Sequence, residues 1–552
     1  MFRTKVFPSV VSAVSAAAVL FPVSGVLAAP RCLGAAATKT GTAGKDVIRG
    51  TAGRDVIAAR GGPDIVIGFG GQDRLCGEGG SDLIFPGPGR DRIDGGSDPD
   101  LISFNSPTAR RGVRANLATR RSSGEGRDRW TDIEGLAGSA GSDVLVGDGG
   151  SNLIGGNKGS DEIKAGDRAD LLLGGGGADR IDGQGGRDLA SFYFSPSNVV
   201  IRADLKTGTA RGEGADTLQS IEGLEATKSI LGSDVLKGDG GNNFFLSSKG
   251  NDILFGRGGK DYLSAGQGTD RLEGGPGKDY AVGGRGISTF AGGPGADFFD
   301  GRGGSDSAAG GDGGDGLFGA GGSDRLVGGP GKDFLSGEAG ADVLGAEGPA
   351  ADPDDDFLRG GSHSDRLLGG DGNDLLDGGS GDDTISGGLG VDFVNFIRST
   401  RAVRANLATG RARGQGDDAL GTDPAAAVEG IFGSRFNDRL IGSDFSNGLI
   451  AMAGDDFVQA GFGDDFLNGN KGNDELHGDL GIDECENGEV ETGCELPLLP
   501  APATEARLTP QELPNFLLKV WATPPRRPLE RVTFLPWGRT ASGRVSLERP
   551  PQ

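Results

Sequence analysis

Over most of the chain a single apolar position recurs every nine residues, set among glycine and polar positions. Residues 369–395 show the pattern unbroken, as GGDGNDLLD, GGSGDDTIS and GGLGVDFVN. Each unit opens Gly-Gly, has glycine fourth, Asp sixth and an aliphatic residue eighth. One apolar place in nine fits neither an amphipathic helix nor a long alternating strand. It predicts a short strand at places seven to nine, with its central side chain inward and its neighbours outward. Glycines at places one, two and four would supply positive φ and close backbone approach in the connecting turn. Two units then make an eighteen-residue coil with a turn on each side. Stacked coils would pair their strands in parallel, roughly 4.8 Å apart, which is a repeat architecture.

The frame holds in five blocks, 41–103, 138–191, 229–345, 351–395 and 433–486, making 37 units. The sixth place is Asp in all but four units, where Asn152, Asn243, Ser288 and Asn447 stand instead. A short insertion, 346–350, parts the third block from the fourth. The other interruptions, 104–137, 192–228 and 396–432, are copies of one module. Each is entered through a similar strand, DLISF, DLASF or DFVNF, ending at Phe104, Phe192 or Phe396. The alternation Val113-Arg114-Ala115-Asn116-Leu117 is strand-like. The inserts are expected to be longer coils or hairpins that continue the stack, since thirty or so residues are too few for a separate domain.

Composition narrows the function. The chain has 109 glycines and 79 acidic against 55 basic residues, a formal charge of −24. That balance argues against nucleic acid as a partner, which needs a basic surface, and suits cations. In stacked coils, residues eighteen apart share a column, so Asp374 and Asp392 would lie one above the other. Unpaired carboxylates at that spacing repel. A hard divalent cation between turns removes the conflict, because calcium takes six to eight oxygens from carboxylates and loop carbonyls. A core one side chain wide is thin against the entropy of ordering nine residues per unit, which again points to a metal.

These units resemble the calcium-binding nonapeptide, GGxGxDxUx, of RTX or haemolysin-type proteins, and the resemblance covers most of the mature chain. It implies an all-β fold, a right-handed parallel β-roll (a β-helix solenoid), with multiple Ca2+ ions between adjacent turns. Sixth-place aspartates of stacked units and carbonyls of the glycine-rich loops would hold them. Asp374 and Asp392 would share one ion, and Asp365 and Asp383 another on the opposite edge. The implied ligands in the first two blocks are Asp46, Asp55, Asp64, Asp73, Asp82, Asp91, Asp100, Asp161, Asp170, Asp179 and Asp188. In the third they are Asp252, Asp261, Asp270, Asp279, Asp297, Asp306, Asp315, Asp324, Asp333 and Asp342. The last two blocks supply Asp356, Asp365, Asp374, Asp383, Asp392, Asp456, Asp465, Asp474 and Asp483. Turns carrying the Asn exceptions are expected to be metal-free and held by side-chain amide hydrogen bonds. Many RTX proteins leave the cell through a C-terminal signal, and family toxins and proteases carry effector domains. This chain differs in having a leader and no recognisable effector domain.

That leader, residues 1–28, has Arg3 and Lys5 before an apolar stretch and a small-residue cleavage site at Val26-Leu27-Ala28, as a secretory signal peptide does. Residues 29–40 are expected to cap the roll. The four cysteines allow three pairings. In an exported protein their positions suggest Cys485 with Cys494, closing a cap at 487–495, and Cys32 with Cys76. The alternative is a free outward Cys76 and a small core Cys485. Residues 496–552, rich in Pro and Arg, read as a disordered tail. No HExxH, GxSxG or P-loop motif appears. His363 and His477 fall at variable places in their units, and of Asp382 and Asp383 one is a ligand and its neighbour an exposed turn residue. The expectation is therefore a secreted, non-catalytic, calcium-binding repeat protein. Its rival is a surface adhesin or matrix component using the rod as a spacer, with contacts made by the inserts or tail. A hydrolase with a site built from the inserts ranks below both.

Overall fold

A computed structural model describes residues 30–105, 111–196, 198–228, 232–345, 354–421 and 427–494. The expected signal peptide, the 346–350 insertion and the 496–552 tail lie outside the described residues. Among the described residues the protein is all-β and has no helix. It forms a parallel β-solenoid of about 24 turns.

Within an uninterrupted block each strand pairs in parallel with the strand eighteen residues on. Val47 pairs with Ile65, Ile65 with Leu83 and Leu83 with Leu101 on one face. Val56 pairs with Arg74 and Arg74 with Arg92 on the other. The register follows from the repeat, since a slip of one residue would turn every eighth-place side chain outward. Those side chains, Ile57, Val66, Leu75, Ile84 and Ile93 onward, are buried in one continuous column between the two sheets.

The glycines divide by place. At places two and four the backbone is left-handed, as at Gly370 (φ 118°) and Gly372 (φ 129°). Other residues accept the same strain at place two, including Phe69 (φ 67°) and Glu78 (φ 71°). Place one differs from the expectation, because Gly77 and its equivalents have no positive φ. Glycine is needed there for room: a Cβ on Gly77 would collide with both the Asp82 carboxylate and the Gly95 carbonyl.

Each insert is a hairpin spliced into one sheet. In the first, Arg129–Thr131 pairs in parallel with Arg92–Gly96, and Arg114–Asn116 in parallel with Val144–Val146. Arg121–Ser123 runs antiparallel between them. The opposite sheet passes from Leu101 to Gly135 without an added strand. The second and third inserts repeat this arrangement. Phe104, Phe192 and Phe396 are buried where the chain enters each one.

Outside one sheet, Tyr262, Tyr280 and Phe298 stack coil over coil, with ring centroids 5.4 and 4.9 Å apart. The sequence reading assigned these seventh-place residues only an outward direction; stacking makes them a second apolar layer. Both expected disulfides are formed, Cys32–Cys76 at the first coils and Cys485–Cys494 at the last. The first ties a small antiparallel hairpin, Arg31–Cys32 with Ala35–Ala36, to the solenoid strand Arg74–Glu78. The second ties the strand Glu484–Glu486 to the residues just after Val490–Thr492.

Candidate metal columns

The sixth-place aspartates form two columns, one along each edge. In each, Oδ1 accepts the main-chain N–H of the aspartate one coil earlier. Asp392 accepts from Asp374 at 2.8 Å, Asp383 from Asp365 at 2.9 Å and Asp100 from Asp82 at 2.8 Å. The carboxylates are almost wholly buried: Asp100 and Asp392 are 0% exposed and Asp82 is 3%.

The second oxygen is different. Oδ2 of Asp64, Asp82, Asp100, Asp188, Asp261, Asp315, Asp383 and Asp465, among others, is buried with no hydrogen-bond partner. It lies beside the place-one glycine of its own unit, where a carbonyl from the next coil also arrives. A Cβ at Gly77 would meet Asp82 Oδ2 and the Gly95 carbonyl, and one at Gly256 would meet Asp261 Oδ2 and the Gly274 carbonyl. Two acceptors therefore converge with no donor between them. Burial pushes these carboxyls up: to about 7 at Asp82 and Asp188, and to about 8 at Asp100, Asp365 and Asp392. Burying a charge without a partner is costly, and a cation would repay it.

A donor set of one carboxylate oxygen plus carbonyls fits calcium, which accepts both. Among the described residues no three His, Cys, Asp or Glu side chains cluster as a metal site, so carbonyls would have to complete the coordination.

Not every sixth-place residue is left short. Where the stack starts or restarts, the turn supplies its own donors. The Thr42 and Thr51 N–H groups bond Oδ2 of Asp46 and Asp55 at 2.6 and 2.5 Å, and their hydroxyls add a second bond. Ser139 does the same for Asp143, and Ser434 for Asp438. Thr227 serves Asp234, and the Ser247 hydroxyl serves Asp252. Asn152 accepts from the Asp148 N–H at 2.8 Å, while its amide donates to the Glu134 carbonyl at 3.3 Å. Asn447 repeats this with Ser443 and Glu429. In the Thr42, Thr51, Ser139, Asp148, Ser434 and Ser443 turns, place two is not left-handed, so its N–H points at the side chain. Where place two is left-handed, as at Glu78, Gln184 or Met452, Oδ2 of the following aspartate (Asp82, Asp188, Asp456) is orphaned.

The inserts carry carboxylates that the nonapeptide reading missed. Asp128 accepts from Asp91, Asp216 from Asp179 and Asp418 from Asp383. On the other edge Glu134 accepts from Asp100, Glu222 from Asp188 and Glu429 from Asp392. Both columns thus run through every insert. The signal was present in the Gly-x-Gly-x-Asp of GEGRD, GEGAD and GQGDD, and in Glu-Gly-aliphatic at 134, 222 and 429. It was out of phase and, on one edge, used Glu.

His363 is exposed at place four with φ 85°. His477 bonds Glu475 and Thr492 on the outer surface. His363 acts electrostatically on the column carboxyl of Asp342, and neither histidine hydrogen-bonds to a sixth-place aspartate among the described residues.

A parallel β-solenoid whose turns carry two columns of buried aspartates, each a fit for calcium, defines the class. The RTX calcium-binding nonapeptide repeat family matches at residues 40–102, 136–190, 231–344, 352–394 and 450–485, more than half the chain. The chain belongs to that family. The matched segments stop at each hairpin insert. No curated protein matches the chain.

Proposed function

We propose that this protein is an exported structural rod whose solenoid is completed by calcium bound along both edges. The carrying observation is the orphaned Oδ2 facing a carbonyl in coil after coil, set against turns where a hydroxyl or amide donor removes the conflict. Asp64 to Asp100, Asp161 to Asp188, Asp261 to Asp342, Asp356 to Asp392 and Asp456 to Asp483 would hold the ions with loop carbonyls. When bound, calcium supplies positive charge to buried carboxylates and ties successive coils together. The two disulfides favour an oxidising, extracellular setting. The role is structural: among the described residues the sixth-place carboxylates are buried within the stack.

Elemental analysis of the mature protein at saturating calcium tests this. Twenty-two pairs of sixth-place aspartates stand eighteen residues apart. Allowing for weak sites and self-satisfied turns, the expectation is about 10 to 22 ions per chain. One or two tightly bound ions would remove calcium as the organiser.

The second reading, a rod that spaces a surface or matrix contact, is favoured by the first insert, which sets Arg92, Arg129 and Arg121 side by side where its copies place Arg180, Thr217 and Thr209, and Thr384, Ala419 and Arg411.

A further inference from the structure

The first insert carries a row of arginines used by neither the columns nor the core. Arg92 pairs across the sheet with Arg129, and Arg129 with Arg121, on three neighbouring strands. Arg114 opens the next strand, opposite Ser123. Their chain neighbours Ile93, Trp130, Ser122 and Ala115 are buried, so all four arginines project outward, and all four are exposed. Among the described residues none of the four makes a salt bridge, and the carboxylate of Glu162 feels Arg114 alone among them. Like charges set directly opposite destabilise a sheet. Two contiguous concavities border the row and share Ser123. One, of about 280 Å³, is lined by Arg114 and Arg121; the other, of about 390 Å³, by Arg90 and Arg127.

The module does not need this row to fold. In the second insert the equivalent neighbours of Arg180 are Thr217 and Thr209. In the third they are Thr384, Ala419 and Arg411, and Arg411 has Asp417 at 3.8 Å. The other inserts carry cross-strand arginines at a different place, Arg202 opposite Arg211 in the second and Arg439, Arg404 and Arg413 in a row in the third, where Arg413 has Asp417 at 3.1 Å. Among the described residues the first insert's row of Arg92, Arg129 and Arg121 makes no salt bridge, an electrostatic cost that an anionic ligand would relieve.

We propose that the first insert binds an anionic polysaccharide, an extended chain bearing carboxylate or sulfate groups. The inference deepens the reading of the rod as a spacer and does not depend on which column sites calcium fills. Guanidinium forks match carboxylate and sulfate oxygens in bidentate fashion. Strands roughly 4.8 Å apart set Arg92, Arg129 and Arg121 in a line, which suits a linear polymer lying along the solenoid. Single-stranded nucleic acid needs aromatic platforms for its bases, and the aromatic residue of this strip, Trp130, is 4% exposed.

The test uses the full mature chain in calcium, with dextran sulfate and polygalacturonate as probes and neutral dextran and oligothymidylate as controls. Both anionic polysaccharides should bind, more weakly in ~300 mM than in ~50 mM salt, and dextran should not. Arg121→Thr/Arg129→Thr, which installs the second insert's residues, should weaken binding about tenfold or more with an unchanged calcium-dependent circular dichroism spectrum. That spectrum reports folding separately, so loss of the calcium reading and loss of this one are distinguishable. Should the variant's spectrum change, Thr209→Arg/Thr217→Arg beside Arg180 is the second arm, expected to add a binding site. Unchanged affinity in the first variant, or no gain in the second, overturns the proposal. So does equal binding to dextran, or tighter binding to oligothymidylate. Binding of polygalacturonate alone, undiminished in the first variant, would assign the contact to calcium bridging and overturn it as well.

Discussion

The side-chain amide of Asn152 donates to the carbonyl of Glu134, eighteen residues earlier, at 3.3 Å. In the next coil of the same column stands Asp170, whose Oδ2 is buried without a donor. Exchange of one atom, nitrogen for oxygen, marks the difference between a turn that closes itself and a turn that needs a cation.

Asn152→Asp should therefore destabilise the second block and bind no additional calcium. The new carboxylate loses the bond to Glu134 and faces the Asp148 carboxylate, which Nδ2 now contacts at 3.2 Å. A loss of about 1–3 kcal/mol is expected for the unsatisfied buried group. Calcium titration with thermal unfolding checks both parts; a gained ion with restored stability would contradict the assignment.

Asp374→Ala should weaken calcium-dependent folding of residues 354–395 far more than Asp371→Ala. Asp374 Oδ1 accepts the buried Asp356 N–H at 2.8 Å, and its carboxylate is a proposed ligand. Asp371 is a third-place turn residue outside the column, where substitution should cost within about 0.5 kcal/mol. Hydrogen exchange across 354–395 in limiting calcium separates them, and equal effects would mean that the nonapeptide frame is misassigned.

Acid should partly replace calcium. Burial raises the folded-state carboxyls to about 7 at Asp82 and Asp261 and about 8 at Asp100 and Asp365. A raised folded pKa stabilises below the ordinary carboxylate range, and the contribution is lost as pH rises through the folded value. Calcium-free protein should gain β structure as pH falls from about 8.5 towards 5, and apparent calcium affinity should fall over the same interval. Circular dichroism at fixed chelator across that range reads the first, and a flat profile would contradict it.

The periodic part of this molecule was legible because one residue type recurs at each structural place: the eighth builds the core, the sixth the columns. Glycine's two uses were not separable in sequence, since room at Gly77 and left-handed backbone at Gly370 are written with the same letter. Turn chemistry was hidden for a related reason. Thr42, Ser139 and Ser434 at place two look like tolerated exceptions, yet their N–H and hydroxyl groups satisfy Asp46, Asp143 and Asp438 from within the turn. The columns through the inserts were missed because Asp128 stands 37 residues beyond Asp91, and Glu134 34 beyond Asp100. A hairpin consumes the extra residues and returns the chain to the same stack.

Far-UV circular dichroism of the mature protein at neutral pH, in millimolar calcium and then in excess chelator, tests the central claim most directly. The columns of buried carboxylates predict a strong β signal in calcium, its loss in chelator and its recovery on re-addition at about 10⁻⁴–10⁻³ M. An undiminished β signal in excess chelator would show that the solenoid stands without the ion.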